Sequence, residues 1–346
     1  MSFLNFEKIK LNVQFWIRFL KEKKMQLIIE NWLRNLSVKS GWITEFDKIV
    51  VKYINYFEVD KILQGHENVV KSVKFSPDGN KVISSSRDKT IRIWDVVSGE
   101  QTKVLKGHLD WVNTAEFSPD GRTIVSCSWD KTIRIWNAKS SKELKKLDGN
   151  FREVHDINFS PDGGKIVSGS ADKIIRLWDL KSGNVIKRIS IHICPVFSVR
   201  FSPDGKFIVS SVDKTICIQN EQSGQMLKQL KGDFGFVRRA IFSPDGKCIV
   251  SCSWDTTIRI WDVETGEQLK ILEGHSGDVS DVKYFPDGQT IVSCSTDKTI
   301  RLWNVQSGNE IQRLEGHSDW VIGIDVSPDG NKIVSCSSDR TIRIWQ

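Results

Sequence analysis

Serine, histidine and aspartate recur at a fixed spacing in this chain of 346 residues, and these residue types together could form a hydrolase triad. The first set is His66, Ser84 and Asp88, followed by Trp94, and three further sets keep the same spacing and also end on a tryptophan. A single catalytic centre needs neither four copies nor the tryptophan. We therefore expect these residues to be structural, with no catalytic residue among them.

Other catalytic and metal-binding patterns are missing from the sequence. It shows no phosphate-binding glycine loop and no metal-ligand spacing. The seven cysteines include no C-x-x-C pair, and Cys127, Cys252, Cys294 and Cys336 occupy equivalent places in similar segments, too far apart to form disulfides. We expect reduced, buried thiols, no metal site and no cofactor.

Charge and hydropathy narrow the possible classes of protein further. The net charge is +7, but basic residues are scattered among acidic ones without a run of five or six like charges, so a nucleic-acid partner is not expected. The longest apolar stretch near the start, residues 11–20, is interrupted by Asn12, Gln14 and Arg18, which argues against a secretory signal or a membrane span. We expect an intracellular protein, in the cytoplasm or the nucleus.

Three short motifs repeat in one register and indicate seven copies of one unit. F-S-P-D-G or a variant recurs every 42 residues, with one interval of 41, and ends at Gly79, Gly121, Gly163, Gly205, Gly246, Gly288 and Gly330. T-I-R-I-W or a variant ends at Trp94, Trp136, Trp178, Gln219, Trp261, Trp303 and Trp345. Gly-His or a variant ends at His66, His108, Asn150, His192, Asp233, His275 and His317.

Each unit contains four short β-rich runs separated by Pro, Asp and Gly turns. In the first unit three of them are V-K-S-V-K-F, K-V-I-S-S-S and T-I-R-I-W-D, and residues 267–272 exemplify the fourth. This pattern predicts a four-stranded antiparallel sheet, or blade. One blade cannot bury both of its faces, so we expect the units to stack around an axis.

The units resemble the WD-repeat family, through Trp-Asp dipeptides such as Trp94-Asp95 and Gly-His dipeptides such as Gly65-His66. The resemblance covers residues 57–346 and implies an all-β fold, a seven-bladed β-propeller. It also implies a buried hydrogen-bonded tetrad of His, Ser, Asp and Trp in each complete blade. The tetrads implied are His66, Ser84, Asp88, Trp94; His108, Ser126, Asp130, Trp136; His275, Ser293, Asp297, Trp303; and His317, Ser335, Asp339, Trp345.

Three blades depart from the tetrad pattern. Blade three has Asn150 in place of His, and blade five has Asp233, which would face Asp255 and raise the pKa of one carboxyl. Blade four has Ile191-His192 in place of Gly-His, one residue fewer, and Gln219 in place of Trp. We expect blade four to be the least stable, through either drift of one copy or functional adaptation.

Residues 57–63 resemble the outer-strand runs of the other units, and we predict that they close the ring as the outer strand of the last blade. Residues 1–56 show apolar positions at helical spacing and predict a separate α-helical segment of two or three helices. That segment would pack on itself or on the propeller rim, bind a membrane surface, or serve partner binding or dimerisation. The oligomeric state does not follow from the sequence.

In propellers of this family, the loop before the first strand and the turn before the tetrad aspartate share the narrower face. These positions vary between repeats and are rich in Trp, Phe and Arg, the residue types that often anchor interfaces. The predicted partner-binding residues are Arg87, Trp111, Trp129, Phe151, Arg152, Phe234, Phe236, Trp254 and Trp320. Some of these tryptophans would alternatively cover neighbouring loops.

The leading functional prediction is a non-catalytic scaffold that binds a partner protein or peptide. The alternatives are an RNA-binding propeller and the substrate-recognition subunit of a larger complex. An arginine at the same place in six units suggests RNA binding. However, single arginines one blade apart do not form a continuous row of cations for the phosphates of a nucleic acid, and we expect them to pair with acidic neighbours. These arginines are Arg92, Arg134, Arg176, Arg259, Arg301 and Arg343.

Overall fold

The structure, a computed structural model, describes residues 57–190, 193–232 and 235–346, so the helices predicted for residues 1–56 lie outside the described residues. The described residues form 28 strands in seven four-stranded sheets. The strands are β1 Val59–Leu63, β2 Val70–Phe75, β3 Lys81–Ser86, β4 Thr90–Asp95, β5 Gln101–Lys106, β6 Val112–Phe117, β7 Thr123–Ser128, β8 Ile133–Asn137, β9 Glu143–Leu147, β10 Val154–Phe159, β11 Lys165–Ser170, β12 Ile175–Asp179, β13 Val185–Ile189, β14 Val196–Phe201, β15 Phe207–Val212, β16 Thr215–Asn220, β17 Met226–Lys231, β18 Val237–Phe242, β19 Cys248–Ser253, β20 Ile258–Asp262, β21 Gln268–Leu272, β22 Val279–Tyr284, β23 Thr290–Ser295, β24 Ile300–Asn304, β25 Glu310–Leu314, β26 Val321–Val326, β27 Ile333–Ser337 and β28 Ile342–Trp345.

Six sheets contain four consecutive strands each, from β2-β3-β4-β5 to β22-β23-β24-β25. The seventh sheet has the order β1-β28-β27-β26. The first strand of each of the six sheets, and β26 in the seventh, lie beside their counterparts in the two neighbouring sheets, and the ends of these seven strands line a central channel. Each sheet is thus one blade, with an inner strand at the channel and an outer strand at the rim. The predicted seven-bladed all-β propeller is confirmed.

In every blade a tight turn connects the inner strand to the second strand. In blade one the Gly79 N–H donates to the Ser76 carbonyl oxygen at 2.9 Å, and the Ser76 hydroxyl donates to the Asp78 carboxylate. Gly79 has a φ of 71°, in the left-handed region where a residue without a Cβ is least strained. The serine, aspartate and glycine of the F-S-P-D-G motif therefore form and stabilise this turn.

The hydrophobic core lies between the blades. Trp94 and Leu63 belong to a cluster that also contains Val334 and Cys336, so blade seven and blade one share one layer of buried side chains. Burying a leucine or valine side chain, such as that of Leu63 or Val334, stabilises the fold by about 1.5 to 3 kcal/mol. A single blade would expose both of its faces, which explains why the blades are stable only as neighbours.

Strand β1 occupies the outer edge of blade seven. It pairs antiparallel with β28, where Leu63 lies opposite Ile342. Just before β1, the Phe57 N–H donates to the Gln312 side-chain oxygen at 3.0 Å, and the Gln312 amide donates to the Phe57 carbonyl at 2.8 Å. The Phe57 ring packs 5.9 Å from Phe285. The last blade is therefore assembled from chain segments far apart in the sequence.

We expect the amides of blade four to exchange hydrogen faster than those of the other blades. In strand β16 of blade four, Gln219 occupies the position that a buried tryptophan has in the third strand of the other blades. A smaller side chain therefore fills the space between the blades at this position. Hydrogen exchange followed by mass spectrometry, comparing β16 with β12 and β20, measures the difference. Equal protection of the three strands would contradict the prediction.

Candidate functional site

The structure brings the four residues of each predicted tetrad together. In blade one, His66 Nδ1 lies 2.7 Å from Asp88 Oδ2, and His66 Nε2 lies 2.8 Å from Ser84 Oγ. The Trp94 indole N–H donates to the same Ser84 oxygen at 2.8 Å. Three other blades contain the same bonds, through His108, Ser126, Asp130, Trp136; His275, Ser293, Asp297, Trp303; and His317, Ser335, Asp339, Trp345.

The electrostatics of the tetrad suit a neutral histidine. Burial lowers the pKa of His66, even though Asp88 acts in the opposite direction. Burial alone would raise the pKa of Asp88, but the hydrogen bonds of its carboxylate with His66 and Thr90 lower that pKa below its usual range. The Ser84 side chain is fully buried, so a substrate has no access to its hydroxyl.

Each tetrad aspartate also positions the loops at one end of the blade. Asp88 Oδ2 accepts the backbone N–H of Glu67, in the loop before β2, at 3.1 Å. Asp88 Oδ1 accepts the backbone N–H of Thr90, after the turn between β3 and β4, at 2.9 Å. One carboxylate thus ties that loop to that turn. We call the end of the propeller that carries these loops and turns the narrow face.

Two blades replace missing tetrad members with other side chains. In blade three Asn150 does not reach the aspartate, and Arg176 instead places its guanidinium 2.7 Å from Asp172. In blade four the Gln219 amide donates to Ser210 Oγ at 3.0 Å, in the role of the indole N–H. The predicted contact of Asp233 with Asp255 lies outside the described residues.

A pair of tryptophans lies on the narrow face of blade two. The Trp129 N–H donates to the Trp111 carbonyl at 2.9 Å, and the two rings lie 4.4 Å apart. The Arg87 guanidinium, from blade one, lies 4.2 Å from the centre of the Trp111 ring. Trp129 is 38% exposed although it contacts another ring. We call Trp111 and Trp129 the Trp pair.

A second aromatic group extends from blade five toward the channel. Trp254 lies 5.0 Å from Phe236, Phe236 lies 6.3 Å from Phe197, and Phe197 stacks on His155 at 5.4 Å. Trp254 is 45% exposed, so this aromatic row presents apolar surface to solvent. The row contains two of the predicted binding residues, Phe236 and Trp254.

The other predicted binding residues lie apart from these two groups. Phe151 is 71% exposed, and Arg152 and Trp320 are also exposed, in the loops of blades three and seven. Phe234 lies outside the described residues.

Sequence reasoning missed a ring of side chains at the mouth of the channel. Each inner strand has a register shift after its first valine, which marks a β-bulge beside the second residue. This second residue differs from blade to blade, and that variation within a constant pattern was the signal available in the sequence. The ring consists of Lys71, Asn113, His155, Phe197, Arg238, Ser280 and Ile322.

Among the described residues, five of the six repeated arginines of the third strands, all except Arg343, bond to residues of their own blades. Arg134 donates to Glu143 on the neighbouring outer strand, and Arg301 donates to Glu310 in the same way. Arg259 lies 3.1 Å from Asp255. These contacts neutralise the arginines locally instead of presenting a row of cations.

The side chains that could bind a metal ion or react as thiols are dispersed or buried in the part of the chain that the structure describes. Residues 57–190, 193–232 and 235–346 contain no group of three His, Cys, Asp or Glu side chains arranged to hold a metal ion. Cys127, Cys252, Cys294 and Cys336 are buried free thiols, and burial raises the pKa of each. In the same ranges no helix has the length and hydropathy needed to cross a membrane.

Short segments of the chain are similar to several curated proteins. A probable cytosolic iron-sulfur protein assembly protein 1 from Chaetomium globosum is 48% identical over 48 residues, 14% of this chain and 11% of that protein. Nuclear distribution protein nudF from Aspergillus flavus is 47% identical over 45 residues, 13% of this chain and 10% of that protein. Vegetative incompatibility protein HET-E-1 from Podospora anserina is 47% identical over 59 residues, 17% of this chain and 4% of that protein. The aligned segments thus span only a small part of each relative.

The family model described as WD domain, G-beta repeat matches seven consecutive segments. They are residues 57–95, 99–137, 141–179, 183–220, 224–262, 266–304 and 308–346. Each match ends on, or one residue after, the third strand of a blade. Since the model recurs once for every blade, the chain belongs to the WD-repeat family.

Proposed function

We propose that this chain is a non-catalytic scaffold that binds a partner protein or peptide on the narrow face. WD-repeat propellers generally mediate protein interactions and are generally non-catalytic. The observation that carries the proposal is the exposed aromatic surface of the narrow face. It consists of the Trp pair, on loops that the blade-two tetrad holds in place, and of the aromatic row. Large aromatic side chains and arginine are the usual anchors of protein interfaces.

The described structure favours a protein partner over RNA. In the described ranges, five of the six third-strand arginines, the residues that suggested RNA binding, bond to residues of their own blades, as Arg134 does with Glu143. The names of the relatives, cytosolic iron-sulfur protein assembly and nuclear distribution, support an intracellular location. We propose the same location for this chain.

Replacing Trp129 and Trp254 together by Ala should remove the partners that the intact protein retains from an extract of its own cells. Truncating two aromatic anchors costs about 2 kcal/mol or more each, which lowers affinity more than a hundredfold. Quantitative mass spectrometry of the retained proteins measures the loss. Direct binding of a purified partner to both forms then confirms it.

The matched control replaces Leu144 and Leu269 by Ala. Both are exposed apolar side chains, but they lie on the outer strands β9 and β21, away from the narrow face. This variant should retain the same partners as the intact protein. Equal retention by the tryptophan variant would move the binding site elsewhere, and binding of RNA that weakens steeply with salt would favour the RNA alternative.

A further inference from the structure

Charged side chains deep in the central channel are paired. Arg200 lies 2.7 Å from Asp156, and Arg239 lies 2.7 Å from Asp281. These four residues come from the inner strands of blades three to six. The middle of the channel is therefore locally neutral.

The mouth of the channel on the narrow face carries cations without acidic partners. Lys71 and Arg238 stand at the second position of their inner strands, and Arg87 lies on the adjacent turn of blade one. Among residues 57–190, 193–232 and 235–346, no carboxylate oxygen lies within 4.0 Å of the charged nitrogens of these three side chains. The Nε of Arg87 is buried without a hydrogen-bond partner in the same part of the chain.

The three cations are close enough to affect each other. Burial, followed by the positive charges of Arg238 and Arg87, lowers the pKa of Lys71 to about 7. Burial and the neighbouring Arg239 likewise lower the pKa of Arg238. Holding like charges together in a partly buried place is unfavourable, and a bound anion would offset that cost.

Aromatic surface flanks this basic mouth on two sides. The Arg87 guanidinium lies over Trp111 of the Trp pair, and His155 and Phe197, which belong to the ring at the mouth, are also part of the aromatic row. A ligand that fits both features carries one anionic group between apolar groups. A polypeptide segment with an acidic side chain and neighbouring apolar residues has that chemistry. A nucleic-acid backbone, with its regularly spaced phosphates, would need a longer row of cations.

We propose that the channel mouth binds a glutamate or aspartate side chain of the partner segment, through Lys71, Arg238 and Arg87. The residues flanking that acidic side chain then contact the Trp pair and the aromatic row. This inference rests on the proposed function, because it assigns the chemistry of the partner at the same face.

The test uses pools of synthetic peptides with a fixed central residue, Glu, Gln, Lys or phosphoserine, between degenerate apolar-rich flanks. Wild-type protein should retain the Glu pool about tenfold or more over the Gln pool, the effect of a charge-assisted hydrogen bond. Lys71→Met combined with Arg238→Met should abolish that preference. Lys131→Met, which removes an exposed cation from a turn of the same face, should leave it intact.

Proton uptake gives an independent readout. An anion bound at Lys71 raises the pKa of its amine, so binding of a Glu peptide at pH 7.5 should take up protons. Calorimetry in two buffers of different ionisation enthalpy detects this uptake, and Lys71→Met should remove it. Because these substitutions remove unpaired charges, the variants should keep the melting temperature of the wild type or exceed it, which verifies that they fold.

The outcomes separate this inference from the proposed function. Equal retention of the Glu and Gln pools, with binding still lost in the Trp129 and Trp254 variant, would overturn the acidic ligand but keep the binding face. Peptide binding that the tryptophan variant leaves unchanged would overturn the proposed function itself. Preference for the Lys pool, for the phosphoserine pool over the Glu pool, or for a single-stranded RNA would also overturn the inference.

Discussion

Removing residues 1–63 should lower the melting temperature of the propeller far more than removing residues 1–56. The two truncated proteins differ by the segment that contains β1, which supplies the outer strand of blade seven and buries Phe57 and Leu63. Losing one buried leucine or phenylalanine side chain lowers the free energy of unfolding by about 2 to 5 kcal/mol. Its removal also exposes β28 as an unpaired edge. Differential scanning calorimetry of the two proteins should show a difference on the order of 10 °C or more.

A point variant checks that the effect arises from pairing and packing and not from chain length. Leu63→Asp, made in the full chain, places a charge in the layer between blade seven and blade one. It should lower the melting temperature, whereas Ile62→Asp, on the exposed side of the same strand, should change it little. Equal melting temperatures for the two truncated proteins would show that β1 does not hold the ring together.

Asp156→Asn should be among the most destabilising single substitutions in the propeller. Asp156 is buried, lies 2.7 Å from Arg200 and 3.4 Å from Arg239, and accepts the Val199 N–H at 3.1 Å. Asparagine keeps the volume but leaves the arginines without that carboxylate. Removing one partner of a buried ion pair costs about 3 to 5 kcal/mol. Urea unfolding measures the loss of free energy.

The matched control for this substitution is Ser198→Ala. Ser198 occupies the equivalent position of the next inner strand, is fully buried, and its hydroxyl has no hydrogen-bond partner among the described residues. Replacing it should leave the free energy of unfolding nearly unchanged. A comparable loss in both variants would mean that the position tolerates no substitution, whatever its charge.

The contribution of Asp156 should also depend on pH. Burial alone would raise the pKa of this carboxyl, but Arg200 and Arg239 outweigh burial and lower the pKa to about 2. In the unfolded chain the pKa of an aspartate is about 3.9. A carboxyl with a lowered pKa stabilises the folded state above the unfolded pKa and loses that effect as pH falls. The difference between wild type and Asp156→Asn should therefore shrink between about pH 4 and pH 2.

The strands and their order were predictable because each unit repeats the same turn motifs. The F-S-P-D-G turns mark where an inner strand ends, and the similarity of residues 57–63 to the outer-strand runs points to the pairing of β1 with β28. The tetrads followed from family resemblance, and the hydrogen bonds of His66 and Trp94 with Ser84 have the implied arrangement.

The chemistry of the channel was not predictable in the same way. Which residues of an inner strand face the channel depends on a β-bulge, and strict alternation gives the wrong faces on either side of it. Arg176 approaches Asp172 to 2.7 Å in the blade where Asn150 replaces histidine, whereas the equivalent Arg92 stays 3.8 Å from Asp88 in blade one. The sequence does not show this difference in distance. Pairing across blades, as between Asp156 and Arg200, depends on how the blades stack.

The pairing of β1 with β28 also constrains how the protein is made. The ribosome synthesises β1 before all the other described strands and β28 after them, and roughly 280 residues separate Leu63 from Ile342. At about 5 to 20 residues per second, β1 waits for its partner for tens of seconds. During that interval six blades are able to form while the ring has two unpaired edges, which are sites for aggregation. Chaperone dependence during translation should therefore concentrate on this last step of closure.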